Sequence, residues 1–257
     1  MERPPERPML GVIPLALLDA GQAAGLIAAR PPGAPFAYVV TANAQHLVLL
    51  DKPGHPLRAA YEGAWLRLND SRILARLSRL ATGQGFPVAT GSDVTRLLFE
   101  RHIAPHDPIA VVGGDAALAE ALRARYGLSA LRLHAPPMGW MEQPEAVAAA
   151  LAFLREAPAR FIFVVTGAPQ SERFLERLAA TPGMTGTGLA VGSALRFLVG
   201  QVARAPVWMQ RAGLEWLYRL LSEPRRLWRR YALESSPALA IAWRAWRRRG
   251  GAHRPTA

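Results

Sequence analysis

Asp70 is the residue of this chain best placed to move a proton. It follows an apolar segment, Ala59 to Leu68, within Asn69-Asp70-Ser71, and precedes a helix carrying Arg72, Arg76 and Arg79. A carboxylate so placed can act as general base on a hydroxyl, or it can cap the helix that starts near Ser71, the commoner use of such a residue. Four small or polar clusters are candidates to hold phosphate: Thr41-Ala42-Asn43, Thr90-Gly91-Ser92-Asp93, Gly113-Gly114-Asp115 and Thr166-Gly167-Ala168-Pro169. In open α/β sheets ligands bind beyond the carboxyl ends of the strands, where glycine admits a phosphate and helix N–H groups supply donors. One such cluster is an ordinary turn; several in one chain favour a nucleotide-type site. The third resource is cationic. The run from Arg204 to Tyr231 has seven arginines against two glutamates, with three tryptophans and two tyrosines interleaved. Cationic, Trp-rich helices suit anionic phosphate on a lipid surface, a sugar nucleotide or a nucleic acid.

Much chemistry is excluded. The chain has neither the GxGxxG dinucleotide fingerprint nor the GxxxxGK[ST] loop, and no nucleophile elbow in a Ser/His/Asp order. It has no cysteine, which removes thiolate nucleophiles, disulfides and Cys-based zinc sites. His46, His55, His102, His106, His134 and His253 lack metal-ligand spacing, and no Asp-x-Asp pair is present to chelate a metal on a sugar nucleotide. The expectation is no metal and no cofactor, with any diphosphate neutralised by arginine and backbone N–H groups.

The elements that must position these residues alternate. Short apolar runs at 9–13, 36–40, 109–112, 131–134, 161–165 and 188–191 read as strands. Helical stretches fall at 15–29, from 45, at 73–80, up to His102, and at 116–126, 145–156 and 171–180. The pattern predicts an α/β fold, a Rossmann-like sheet with crossover helices. A hydrophobic content of 51% supports a real core. The net charge of +12 is unevenly placed: 12 arginines and 3 acids lie from Arg204 onward, so that part carries +9 and the first 203 residues are nearly neutral. The predicted division is a core over 1–203, a basic amphipathic helical appendage over 204–252 and a disordered tail over 253–257. Within the appendage, Ser222-Glu223-Pro224 reads as an N-cap with proline in the first turn of a new helix, and Ser235-Ser236-Pro237 as the cap of another, Ala238 to Arg249.

With these pieces in order, the sequence resembles the WecG/TagA/CpsF family of bacterial glycosyltransferases (glycosyltransferase family 26) from about Pro35 to Tyr231. The stations are Thr41-x-Asn43, the Asp70 segment, Thr90-Gly91-Ser92-Asp93, Val112-Gly113-Gly114, Pro136-Pro137-Met138-Gly139-Trp140, Gly167-Ala168-Pro169 with Glu172, and the Arg204–Tyr231 run. The last is the specific one. The resemblance implies an inverting, metal-independent hexosyl transfer, of an N-acetylmannosamine-type sugar or a uronic acid, from a UDP-sugar to a polyprenyl-diphosphate-linked saccharide. It implies Asp70 as base, with Thr41 and Asn43 lining the same cleft. Gly91, Asp93, Gly113, Gly114, Gly139, Gly167, Pro169, Gln170, Ser171 and Glu172 are then candidates for the UDP-sugar. Arg219, and second Arg204, would meet the diphosphate, leaving Trp228, Arg225, Arg226, Arg229 and Arg230 for an anionic membrane surface. Three positions depart from the family pattern: Ser71 stands for glycine after the aspartate, Ser171 for a nucleotide-contacting glutamine, and Arg196 for a carboxylate.

The implied setting is cytoplasmic and peripheral, on the inner face of the cell membrane, because no run approaches the roughly 20 apolar residues of a spanning helix. Five of the seven tryptophans lie beyond Gly200, and packing against a second copy would bury them as lipid does, so a homo-oligomer stays open. Two competing classes are a nucleic-acid-binding module, which the near-neutral first 203 residues disfavour, and a non-catalytic scaffold of a polysaccharide assembly complex.

Overall fold

Six short strands of four to six residues form one parallel sheet in the computed structural model, which describes residues 4–251. A hairpin comes first, β1 (Glu6–Met9) against β2 (Ile13–Ala16), followed by α1 (Ala20–Ala28). Then come β3 (Ala37–Ala42), α2 (Ala44–Asp51), α3 (Leu57–Glu62), β4 (Leu66–Asn69), α4 (Arg72–Thr82) and α5 (Gly91–Arg101). The second half runs β5 (Ile109–Val112), α6 (Ala116–Tyr126), β6 (Leu131–His134), α7 (Pro144–Glu156), β7 (Phe161–Val164), α8 (Gln170–Ala179), β8 (Thr187–Ala190) and α9 (Ala194–Leu198). The strand order is β4-β3-β8-β7-β5-β6, so every carboxyl end points to one edge. This is the Rossmann-like α/β architecture expected from the alternating pattern.

The period-2 alternation of each strand divides the core between the two faces of the sheet. Val39, Val111, Phe163 and Leu189 pack with α1, α5 and α6, whereas Val40, Val112, Ile162 and Val164 pack with α2, α7 and α8. Two sequence expectations fail here. The strand expected over 9–13 is split, Met9 ending β1 and Ile13 beginning β2, because Leu10 (φ 51°) and Gly11 (φ 79°) between them take the left-handed conformation. The helix expected over 15–29 starts only at Ala20, Leu15 and Ala16 belonging to β2.

Beyond the sheet lie α10 (Val207–Ala212), α11 (Glu215–Ser222), α12 (Pro224–Arg229), a π-helical turn over Arg230–Glu234, and α13 (Ala238–Gly251). Pro224 opens α12 as expected, but Ser222 does not cap it. Ser222 ends α11, its hydroxyl donating to the Tyr218 carbonyl at 2.9 Å. Two arginine contacts fasten these helices to the sheet layer. Arg76 of α4 donates to the carbonyls of Ala212 (2.6 Å) and Arg211 (3.1 Å) at the end of α10, where the helix dipole favours a cation. Arg244 pairs with Asp51 at 2.5 Å. On α13, Ala238, Ile241, Ala242 and Ala245 belong to the same buried cluster as Val40 and Ile162, so this helix completes one face of the core. The side chains of Arg226 and Arg230, and the tail over 252–257, lie outside what the structure describes.

Candidate active site

The floor of the site is the end of β4. The Asp70 N–H donates to the Ala42 carbonyl at 2.8 Å, continuing the pairing with β3 for one residue. Asn69, nearly fully buried, locks the turn: its Oδ1 accepts from the Ser71 N–H (3.1 Å) and its amide donates to the Pro87 carbonyl (3.0 Å). Ser71 is extended (φ −146°) and caps α4, its Oγ accepting from the Leu74 N–H at 3.1 Å. The capping alternative for Asp70 is therefore overturned. Ser71 does that work, and the carboxylate of Asp70 is turned to the first residue of α5, where Oδ1 accepts from the Gly91 N–H at 3.2 Å. Burial pushes the Asp70 carboxyl up from the ordinary 3.8 to about 6, and the nearby Glu215 carboxylate adds to this. The Gly91 bond, His46 and Arg219 oppose the rise without cancelling it.

The end of β3 supplies the adjoining wall. Asn43 caps α2, its side-chain oxygen accepting from the N–H groups of Gln45 (3.0 Å) and His46 (3.3 Å). Thr41, buried one residue pair earlier, lies under Gly91; a Cβ on that glycine would sit 3.5 Å from Thr41 Oγ1. Beneath them is a buried polar layer. His46 Nδ1 accepts from the Asn43 N–H (3.2 Å), and its Nε2 lies 3.4 Å from the Glu172 carboxylate. The Tyr61 hydroxyl donates to the Thr41 carbonyl at 3.0 Å, and its pKa is held well above the usual range by burial, then by Glu172 and Asp70.

The roof comes from α10, α11 and the start of α13. Together with the strand ends they enclose a cleft of about 380 Å³, in which Asn43, Asp70 and Ser92 face Glu215, Trp216 and Arg219. Arg219 stacks over the Phe197 ring (5.4 Å to its centroid), with Nη2 3.4 Å from Ser193 Oγ. Arg204, the second candidate for a diphosphate, is already engaged: Nη1 lies 2.7 Å from Asp93 and Nε 3.5 Å from Glu215. Burial works against ionisation of Asp93, but the Arg204 contact outweighs it and holds the carboxyl below its usual range.

The remaining candidates do not line this cleft. Gly113 and Gly114 have φ of 99° and 81°, and a Cβ on them would strike Thr166 and Leu118 at 2.9 and 2.7 Å, so these glycines permit close packing after β5. Gly139 opens a short 3₁₀ turn, and Gly167, Pro169 and Gln170 sit where β7 passes into α8. Ser171 is buried against the Thr166 hydroxyl (3.2 Å), and Glu172 faces His46. Arg196 turns away from the cleft, pairing with Asp115 at 2.8 Å. On α12, Trp228 is half exposed and Arg225 and Arg229 are exposed. Sequence reasoning missed Glu215, Trp216 and Phe197. The available signal was Glu215 itself, one of only two acids in the Arg204–Tyr231 run and four residues before Arg219.

A Rossmann-like α/β protein with a carboxylate and an arginine facing each other across one strand-end cleft is thus the class that fold and site define. Within that class, the sequence model of the glycosyl transferase WecG/TagA/CpsF family matches residues 9–252, and the chain belongs to this family. It is a family of glycosyltransferases of cell-surface polysaccharide synthesis. Among the described residues no helix is long and apolar enough to cross a membrane.

Proposed function

We propose that the protein is an inverting, metal-independent hexosyltransferase that moves a sugar, N-acetylmannosamine-type or a uronic acid, from a UDP-sugar to a polyprenyl-diphosphate-linked saccharide. The observation that carries this is Asp70: a carboxylate lifted to about 6, fixed by one N–H bond at the mouth of α5, facing Arg219 across the cleft. A general base works best with a pKa near the operating pH, so a carboxylate at about 6 is mostly ionised at neutral pH yet basic enough to accept a hydroxyl proton. In the proposed step the acceptor hydroxyl oxygen bonds to the anomeric carbon as Asp70 takes its proton. The bond from that carbon to the UDP oxygen breaks on the opposite side, which inverts the centre. The charge on the leaving diphosphate is met by Arg219.

The exposed cationic helices would hold the enzyme against the inner face of the membrane, each arginine near an anionic leaflet contributing about 1 kcal/mol. The test is release of UDP by full-length protein from a panel of UDP-sugars, with a polyprenyl-diphosphate-sugar acceptor and EDTA present. Acceptor-dependent release supports the reading. Retained UDP binding with no release across the panel would favour the scaffold reading; absence of UDP binding would overturn the nucleotide-sugar reading.

A further inference from the structure

The cleft has one apolar wall, and that wall continues onto the surface. α4 and α13 both begin at the cleft, where Ile73 and Leu77 of one and Leu239 of the other line it. They also end together, with the Arg249 guanidinium 3.0 Å from where a Cβ on Gly83 would sit. The two helices are therefore parallel neighbours that lead away from Asp70. Each carries an apolar stripe at helical spacing beside its buried face: Ile73, Leu77 and Leu80 on α4, and Leu239, Trp243 and Trp246 on α13. Buried Leu74, Ser78 and Ala81 fix the inward face of α4, and Ala238, Ile241, Ala242 and Ala245 that of α13. The opposite side of α13 turns Arg244 to Asp51 of α2, and Ile73, Leu77 and Leu239 line one cleft, so the two stripes face each other. The outer part of this strip is open to solvent: Leu80 is 78% exposed, Leu239 60%, Trp243 55% and Trp246 56%.

The geometry points to this strip as the track for the isoprenoid chain of the acceptor, running from the diphosphate in the cleft, over Leu77 and Leu239, to Leu80 and Trp246. The inference rests on the proposed lipid-linked acceptor and adds where its lipid lies. Two observations select this occupant. The strip is continuous with the cleft wall beside the base, so one end of any molecule lying on it reaches Asp70. Its flanks are cationic, with Arg247 stacked over Trp243 (4.9 Å) and Arg76 and Arg79 exposed on α4, which matches a chain that bears a diphosphate head. A second apolar groove, between α2 and α13 near Val48 and Leu233, shares no lining residue with the cleft and meets it only along the backbone of 234–238.

The test is photolabelling of full-length protein by a benzophenone-bearing isoprenoid diphosphate of about farnesyl length, without vesicles, with adducts mapped by mass spectrometry. Expected are adducts on α4 and α13 around Leu80, Leu239 and Trp243 that unlabelled polyprenyl diphosphate suppresses. Leu80→Glu and Trp246→Glu should each cut labelling about ten-fold, as loss of one buried apolar side chain does. Adducts confined to the Val48/Leu233 groove or to α12, labelling that no competitor suppresses, labelling that requires vesicles, or a dimer that protects Trp243 and Trp246 would each overturn the track. UDP binding measured on the same preparation separates the two readings. Its absence defeats the nucleotide-sugar donor and leaves the adduct map to decide the track, whereas UDP binding without adducts defeats the track alone.

Discussion

Replacing Asp70 by asparagine should make the protein more stable at neutral pH while removing most of its turnover. The carboxyl is raised from 3.8 to about 6, first by burial and then by Glu215. A group whose folded pKa is raised binds its proton more tightly in the folded state, so folding is favoured by it at low pH and disfavoured once the pH passes the folded value. Above pH about 7 the ionised Asp70 costs the fold on the order of 3 kcal/mol as an upper bound, and below pH about 4 nothing, because the group is then protonated in both states. Solvent in the cleft screens part of this, so 1–2 kcal/mol is the working figure. An asparagine can keep the bond from Gly91 through its carbonyl oxygen and carries no charge. For a chain of this size each kcal/mol is worth about 2–4 °C in Tm. Asp70→Asn should therefore melt a few degrees higher than the natural protein at pH 8, with the gap closing toward zero near pH 4. Thermal denaturation across that range, alongside UDP release, checks both halves. Turnover should fall about 10²–10⁴-fold, the usual worth of a positioned base. A variant that is less stable at pH 8, or whose gain is the same at every pH, would refute the electrostatic argument; near-normal turnover would remove Asp70 from the mechanism.

Glu215→Gln takes away the second contribution to the Asp70 shift, so the acidic limb of kcat/KM should move to lower pH, read from a profile between pH 4.5 and 8. Arg219→Ala should weaken UDP binding about 10–100-fold by calorimetry, the range expected for losing a hydrogen bond to a charged group. Arg204→Ala leaves Asp93 and Glu215 partly buried without their cation and should cost about 1–3 kcal/mol in urea denaturation. Because Arg204 holds the Asp93 carboxyl below its usual range, that loss should be full above pH about 4 and shrink as the pH falls further.

Legibility from sequence followed the physics of each element. Buried parallel strands are continuous apolar runs, so 109–112 was readable to the residue, as was the helix at 116–126. The strand that presents Asp70 was not assigned, because α3 ends only three residues before Leu66–Asn69, so 59–68 reads as one apolar segment, and Arg67 is buried within it. Arg67 is tolerated there by pairing with Glu6 and donating to the carbonyls of Pro14 and Tyr61, contacts 53 and 6 residues away. Competition for one helix cap was likewise undecidable locally. Asp70 and Ser71 are both good N-caps, and only the pairing of Asp70 N–H with Ala42 across the sheet leaves the role to Ser71. At Gly113 and Gly114 crowding by Thr166 and Leu118 demands a small residue, a packing requirement that looks the same in sequence as a phosphate loop.

The roof could not be read at all without the fold, and it ties chemistry to closure. Glu215 and Arg219 lie one turn apart on α11, so the same helix brings to the cleft a carboxylate that raises the Asp70 pKa and an arginine that lowers it. Burial ranks above both, and Glu215, Trp216 and Leu239 line the same cleft as Asp70. Arg204 bridges Glu215 to Asp93, which stands at the start of α5 two residues after the glycine that binds Asp70. Displacing α11 would break that bridge, wet the cleft and withdraw Glu215. Wetting the cleft and withdrawing Glu215 both return Asp70 toward an ordinary, weakly basic carboxylate, and the loss of Arg219 opposes them. In the proposed reaction Asp70 is thus most basic with the roof in place, and opening the cleft weakens it.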